Sequence, residues 1–241
     1  MSESERQPHV HLGLPSRRLK AFKIERLLEL TGRKQPFRML EVGTGSGGIA
    51  NYFGTHQDLR CEVDAVDVKD NRVVADGYRF QLVSDTSLPF PDHSFDVVVS
   101  NHVIEHVGDG QAQYAHLAEL RRVMKIDGIG YLAVPNRWMF IEPHYRLAFL
   151  SWLPQGWRSR YLRIMRKGQN YDCEPLEMKH LERLMTSAGF QYRNMCIDAL
   201  RVVLDIEYPN AIATRLLRMT PQGLLDPLRS VVPTLIYRIW G

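Results

Sequence analysis

The chain has 241 residues, of which 44% are hydrophobic and 24% charged, the make-up of a folded domain and not of a disordered chain. Lys and Arg outnumber Asp and Glu by 31 to 27, a mild excess that falls short of the concentrated basic face of a nucleic-acid binder. No apolar run approaches the ~18–20 residues that a membrane-spanning helix needs.

In chain order, residues 1–16 read as a loose arm broken by Pro8, Gly13 and Pro15, without the apolar stretch of a secretory signal. A helix is predicted over 16–31, closed by Gly32. Met39-Leu40-Glu41-Val42 is a short buried strand that enters a glycine-rich turn and then a helical stretch with Ile49, Ala50, Tyr52 and Phe53. Strands follow at 61–68, 80–83 and 95–100. A helix over 111–124, with Tyr114, Leu117, Leu120 and Met124 on one side, is closed by Asp127-Gly128, and 129–134 is a fifth strand. Strands spaced by helices mean βαβ units and a mainly parallel sheet. The pattern breaks over 137–167. A helix over 175–188 stops at Gly189, and 190–198 is a sixth strand. Residues 200–230 are apolar and interrupted by Pro209, Pro221 and Pro227, and 233–240 form the last strand. Cys61, Cys173 and Cys196 make no CxxC pair, so neither a disulfide framework nor a Cys-based zinc site is expected, and the reducing cytosol is the expected compartment.

Glu41-Val42-Gly43-Thr44-Gly45-Ser46-Gly47-Gly48 follows a strand and precedes a helix. Glycines let the backbone pass close to a ligand, and the helix start behind them offers free N–H groups and positive potential. Asp67 ends the next strand, where a carboxylate accepts hydrogen bonds from both ribose hydroxyls. Gly43, Gly45 and Gly48 satisfy GxGxxG, and Asp67 lies 19 residues beyond Gly48. A nucleoside is therefore expected, and these residues alone leave open whether a pyrophosphate comes with it.

Two features bear on that choice. Glu41 sits inside the first strand, and a long string follows downstream: Ser84-Asp85-Thr86-Ser87-Leu88-Pro89-Phe90-Pro91-Asp92-His93-Ser94-Phe95-Asp96. Val97-Val98-Val99-Ser100, Glu105-His106-Val107 and the stretch from Leu120 to Gly128 continue it. Over 38–136, and more loosely over 175–198 and 233–240, the chain resembles the class I S-adenosylmethionine-dependent methyltransferases, in particular the type-11 group that methylates small molecules and lipids. Ile126-Asp127-Gly128 stands where that family usually reads Pro-Gly-Gly.

The resemblance implies an α/β fold: a Rossmann-like, seven-stranded, mostly parallel sheet flanked by helices, with helical insertions forming a lid. Residues 1–37 would be an arm and helix, and 38–241 the methyltransferase domain, with a lid insertion at 137–174 and an apolar insertion at 200–231. S-adenosylmethionine is the implied cofactor. Gly43, Gly45 and Gly47, with Thr44 in the same loop, would approach its methionine portion, and Glu41 would orient the loop and the amino group. Asp67 would hold the ribose and Val68 would pack on adenine. Asp85 would accept from the adenine amine with Thr86 close by, and Ser100 and Asn101 would lie under the amino-acid tail. For Asp85 the alternative is a turn residue bonded to its own backbone. A nicotinamide-dependent oxidoreductase and a non-catalytic cofactor-binding scaffold are the rival readings, and the Leu88-Pro89-Phe90 block speaks against the first.

Methyl transfer from a sulfonium needs above all the alignment of acceptor, methyl and sulfur. A base is needed only for a hydroxyl or a protonated amine, and histidine is the natural one near neutral pH. His102-Val103-Ile104-Glu105-His106 follows the fourth strand, where the family places its acceptor-side helix, and two histidines four apart would share a helical face. Three readings stand: bracing of that helix, acid–base or positioning work by His106 and His102, and, ranked third, a metal, since HxxEH is also a metalloprotease pattern. No residue is assigned as a metal ligand. His144 is a further candidate, meeting the acceptor from the lid side, with loop bracing as its alternative.

Residues 137–167 hold seven aromatic and seven basic residues against one acid, Glu142. Such a segment, after the fifth strand, lies at the ligand-facing edge of the sheet. Interleaved arginine and aromatic side chains suit an anionic, partly apolar partner: a phospholipid, a lipid-linked sugar phosphate or an anionic membrane surface. The alternative is that the aromatics pack the lid and the arginines are its wet face. RNA ranks lower, because the apolar insertions ask for a greasy ligand. The expectation is a methyltransferase acting on a small molecule, lipid-like or a lipid-linked glycan, in the cytoplasm and peripheral to the inner face of a membrane.

Overall fold

The computed structural model describes residues 13–142, 145–171 and 173–241. Helix α1 (Leu14–Leu28) leads into β1 (Phe37–Val42), α2 (Gly48–Gly54), β2 (Cys61–Asp67), β3 (Arg79–Leu82), β4 (Phe95–Asn101), α3 (Gly110–Val123) and β5 (Met124–Pro135). Then come a hairpin of β6 (Ile141–Glu142) and β7 (Leu147–Ala148), and helices α4 (Gln155–Ile164) and α5 (Met178–Ser187). The chain closes with β8 (Gln191–Asn194), α6 (Cys196–Glu207), α7 (Ile212–Met219), α8 (Gln222–Leu225) and β9 (Thr234–Trp240).

Seven strands form one sheet in the order β3-β2-β1-β4-β5-β9-β8. The first five run parallel, and β9 is antiparallel to both of its neighbours. The expected seven-stranded, mostly parallel sheet is present. Its central strands read as continuous apolar runs because both faces are covered. One face packs α1, α2 and α6 through Ile24, Leu28, Ile49, Phe53 and Ala199. The other packs α3 and α5 through Leu117, Leu120, Leu181 and Met185. The strand order reverses at β1, so a crevice opens at the carboxyl ends of β1 and β4.

Several expectations need correction. The helix predicted over 111–124 ends at Val123, and β5 starts at once with Met124, which pairs with Phe95 before a bulge shifts the register to Val97 and Ile129. Tyr114 is exposed, and the helix buries Gln113 and His116 beside Leu117 and Leu120. The sixth strand is shorter than 190–198. The Asn194 side chain accepts the Cys196 amide, and the chain turns there into α6. The apolar stretch 200–230 holds the end of α6, then α7, α8 and a 3-10 helix at Asp226–Ser230. The segment 137–174, expected as a helical lid, is less helical than that: apart from one 3-10 turn at Leu150–Trp152, its described part holds a short hairpin and α4.

Both insertions spring from one place. Asn136, fully buried at the end of β5, donates through Nδ2 to the carbonyls of Ser230 and Val232, each at 2.8 Å. Its Oδ1 accepts the Trp138 amide at 3.0 Å, and its own amide donates to the Pro233 carbonyl. One amide side chain thus ties the start of the lid to the end of the apolar insertion.

Candidate functional site

The glycine loop hangs between β1 and β2. The amides of Gly43 and Thr44 donate to the Val66 carbonyl at 2.9 and 3.2 Å. Gly43, Gly45 and Gly47 take φ values of 77°, 55° and 79°, a region closed to most side chains. Packing adds to that constraint. A Cβ at Gly43 would lie 2.3 Å from Val103 Cγ2, and one at Gly47 would lie 2.2 Å from the Val74 carbonyl.

Glu41 is buried beneath the loop and accepts a 2.7 Å hydrogen bond from the Thr44 hydroxyl. Burial pushes its carboxyl up to about 8 against the opposing pull of Thr44 and Arg17, so it holds a proton at neutral pH. Asp67 accepts the Gly45 amide at 2.8 Å through Oδ2. Val68, expected on adenine, is 67% exposed just past it. Asp85 accepts the Ser87 amide at 2.7 Å, the contact of a turn residue, with half-buried Thr86 beside it.

At the end of β4, the Ser100 hydroxyl pairs with His116 Nε2 at 3.0 Å, both groups being buried. Burial pushes the His116 imidazole down to about 4, so it is neutral. Asn101 is buried with no partner for its Nδ2. His102 then takes φ 59°, donating its amide to the Ala133 carbonyl, and Ile104–His106 form a 3-10 turn. The helical face expected to carry His102 and His106 is therefore absent: the left-handed residue breaks any continuous helix out of β4.

The two histidines meet a carboxylate instead. Glu105 is completely buried, with Oε1 3.3 Å from His102 Nδ1 and 3.9 Å from His106 Nε2. Neither oxygen has a well-directed hydrogen bond. Burial favours the neutral carboxyl, but the His102 contact and the charges of both histidines outweigh it and hold Glu105 below the ordinary Glu range. Both imidazoles are partly exposed. Among the described residues no group of three or more His, Cys, Asp or Glu could hold a metal ion. His144 lies outside the described residues.

Residues 40–132 match the model of a family described as a methyltransferase domain. Ajmaline N-methyltransferase of Rauvolfia serpentina is 32% identical over 85 residues, covering 32% of this chain and 29% of that protein. An uncharacterized methyltransferase of Bacillus subtilis, YcgJ, is 34% identical over 98 residues, covering 38% of each. A geranyl diphosphate methyltransferase solved with GPP and sinefungin superposes with a TM-score of 0.53 at 16% identity, covering 92% of this chain and 77% of that one. Residues 40–132 carry the signature of a methyltransferase domain, and the sheet around them has the fold of such enzymes. The chain spans well under half the length of these curated relatives.

Around the methyltransferase loop stand residues that the sequence did not single out. From α1, Arg17 packs its Cβ against Gly48 and is depressed by burial while facing Glu41 and Asp67. Lys20, one turn on, is pushed down to about 8 by burial and by Arg17 and Lys23, with Glu105 opposing. Two cations three apart on one helix face, just ahead of the first strand, were the available signal. Cys173, its Sγ 3.7 Å from His106 Nδ1, carried none. Arg158 corrects a lid expectation: it is buried and donates to the carbonyls of Leu153 and Ser151, so it braces the lid and does not line a wet face.

Proposed function

We propose that the protein methylates a lipid-like small molecule at the carboxyl edge of the sheet, with His106 as its acid–base residue and His102 beside it. The observation that carries this reading is the buried, ionised Glu105 set between two partly exposed imidazoles next to the glycine loop. S-adenosylmethionine supplies an electrophilic methyl group on a positively charged sulfur. The residues present fit it. Gly43, Gly45 and Gly47 carry the loop backbone, with Thr44 between them, through left-handed conformations beside Glu41 and Asp67, and Asn101 Nδ2 is a buried donor with no partner. Asp67 would hold the ribose, Val68 and Asp85 with Thr86 the adenine, and Glu41, Ser100 and Asn101 the amino-acid end.

The chain's own residues then do three things. The loop and Asp67 fix the donor. The imidazole of His106 takes the proton that an acceptor hydroxyl or ammonium gives up as the methyl arrives, and Glu105 stabilises the imidazolium. The end of the lid, where the Glu174 amide donates to the Glu105 carbonyl, keeps water out.

A lipid-like acceptor is supported by the lid. Trp138, Phe140, Phe149 and Trp152 form one cluster of tilted and edge-on rings, and all four are exposed to solvent. Arg146, Arg160, Arg163 and Arg166 are exposed in the same segment, which suits an acceptor with an anionic group, drawn from an anionic membrane face. No helix among the described residues is long and apolar enough to cross a membrane.

Incubation with labelled S-adenosylmethionine and cell extract, followed by separation of lipids from polar metabolites, tests the reading. Label is expected in an apolar anionic product. Label confined to polar products overturns the lipid-like acceptor, and tight cofactor binding with no labelled product in any fraction favours the scaffold.

A further inference from the structure

Helix α7 is short, amphipathic and turned the wrong way for a soluble surface. Ile212, Leu216 and Met219, at i, i+4 and i+7, are 76%, 61% and 81% exposed, and Leu224 in α8 is 73% exposed. The three α7 residues share one helical face. The opposite side is fixed: buried Thr214 donates to the Tyr208 carbonyl, and Arg201 of α6 donates to the carbonyl of Thr220, just past the helix. A contiguous apolar surface of this kind marks an interaction site.

Charge indicates what covers it. Of the chain's 31 basic and 27 acidic residues, eleven and six lie in the insertions 137–174 and 200–231, leaving 20 and 21 for the rest. The body is close to charge balance, and the whole positive excess sits on the two insertions that Asn136 ties together. A second copy of the chain would bring the same positive charge face to face. An RNA would leave the apolar side chains in water. An anionic lipid bilayer satisfies both features, with apolar side chains entering the acyl boundary and arginines at the headgroups.

We propose that α7 and α8 form the element that seats the protein on an anionic bilayer, with Ile212, Leu216, Met219 and Leu224 inserted. This rests on the lipid-like acceptor proposed above and names the surface it is drawn from, and it is tested apart from the chemistry. Co-sedimentation is measured with vesicles of phosphatidylcholine alone and of equal parts phosphatidylcholine and phosphatidylglycerol. Wild-type protein should pellet with the mixed vesicles only. The Ile212→Ser, Leu216→Ser, Met219→Ser triple variant should bind them at least about tenfold more weakly, because each side chain loses its transfer into the bilayer. Both proteins should bind S-adenosylmethionine alike by calorimetry and unfold at the same temperature, since these positions touch neither core nor loop.

Equal vesicle binding by wild type and variant overturns the proposal, as does equal binding to neutral and anionic vesicles. A wild-type dimer in solution that the variant abolishes also overturns it and assigns the face to self-association. Vesicle binding that follows prediction, with no methyl transfer to any lipid, leaves the docking surface standing and rejects the acceptor. A single-site control, Trp157→Ser on α4, separates the two insertions: it should leave most of the binding in place.

Discussion

The carboxylate of Asp67 and the backbone of Gly45 are joined by a 2.8 Å hydrogen bond that Oδ2 accepts. The residue expected to hold a ribose at the end of β2 therefore also fixes the loop that leaves β1. Asp67→Ala removes both functions. Loss of charge-assisted hydrogen bonds costs about 1.5–3 kcal/mol, so calorimetry should show S-adenosylmethionine affinity reduced by one to two orders of magnitude. An unchanged affinity would remove Asp67 from the site.

Gly43→Ala should destabilise the protein on two counts. The residue would keep a left-handed φ at about 1–2 kcal/mol, and its Cβ would collide with Val103 Cγ2. Val103→Ala relieves only the collision. In denaturant unfolding the double variant should be more stable than the sum of the single effects by about 0.5–3 kcal/mol. Strict additivity would show that the loop moves away without strain.

Glu41 gives stability a pH dependence of definite sign. The folded protein holds a proton up to about pH 8, while the unfolded chain releases it near 4.5. Between those values the unfolded state binds fewer protons, so this group makes stability fall as pH rises, by at most about 1.4 kcal/mol per unit. Above that window its slope vanishes. His116 acts in the opposite sense between about pH 4 and 6.5. Urea unfolding of wild type and Glu41→Gln from pH 5 to 8 isolates the Glu41 part: the variant should lose less stability than wild type.

His106→Gln should lower kcat by about 10²- to 10⁴-fold if it moves a proton in the rate-limiting step, with S-adenosylmethionine affinity retained. Glu105→Gln should lower kcat too and shift the acidic limb of the pH–rate profile downward, because the proton-bearing His106 loses its carboxylate neighbour. A profile that does not move would reduce Glu105 to a brace.

Asn136→Ala should cost about 0.5–1.5 kcal/mol for each hydrogen bond lost, and it should raise proteolytic cleavage in both insertions together. Cleavage raised only in 137–167 would show that the insertions are held independently.

Much of the molecule is legible in its sequence. Val97-Val98-Val99 and Val63, Ala65 and Val66 announce buried parallel strands, since neither face meets water. The glycine loop and Asp67 are local features, so spacing finds them. What escapes depends on contacts far apart along the chain. Arg17 is a surface charge by pattern and a half-buried cation by virtue of where α1 passes the loop. Arg158 reads as a wet arginine and is an internal brace. His102 reads as helical, yet its left-handed backbone is set by a hydrogen bond to Ala133 on the adjoining strand. Met124 reads as the last turn of a helix, and pairing with Phe95 makes it a strand.

Because Asn136 clasps the Ser230 and Val232 carbonyls and the Trp138 amide at once, neither insertion can swing outward by itself without breaking bonds that the other relies on. The two segments therefore yield jointly or not at all, and one side chain decides which.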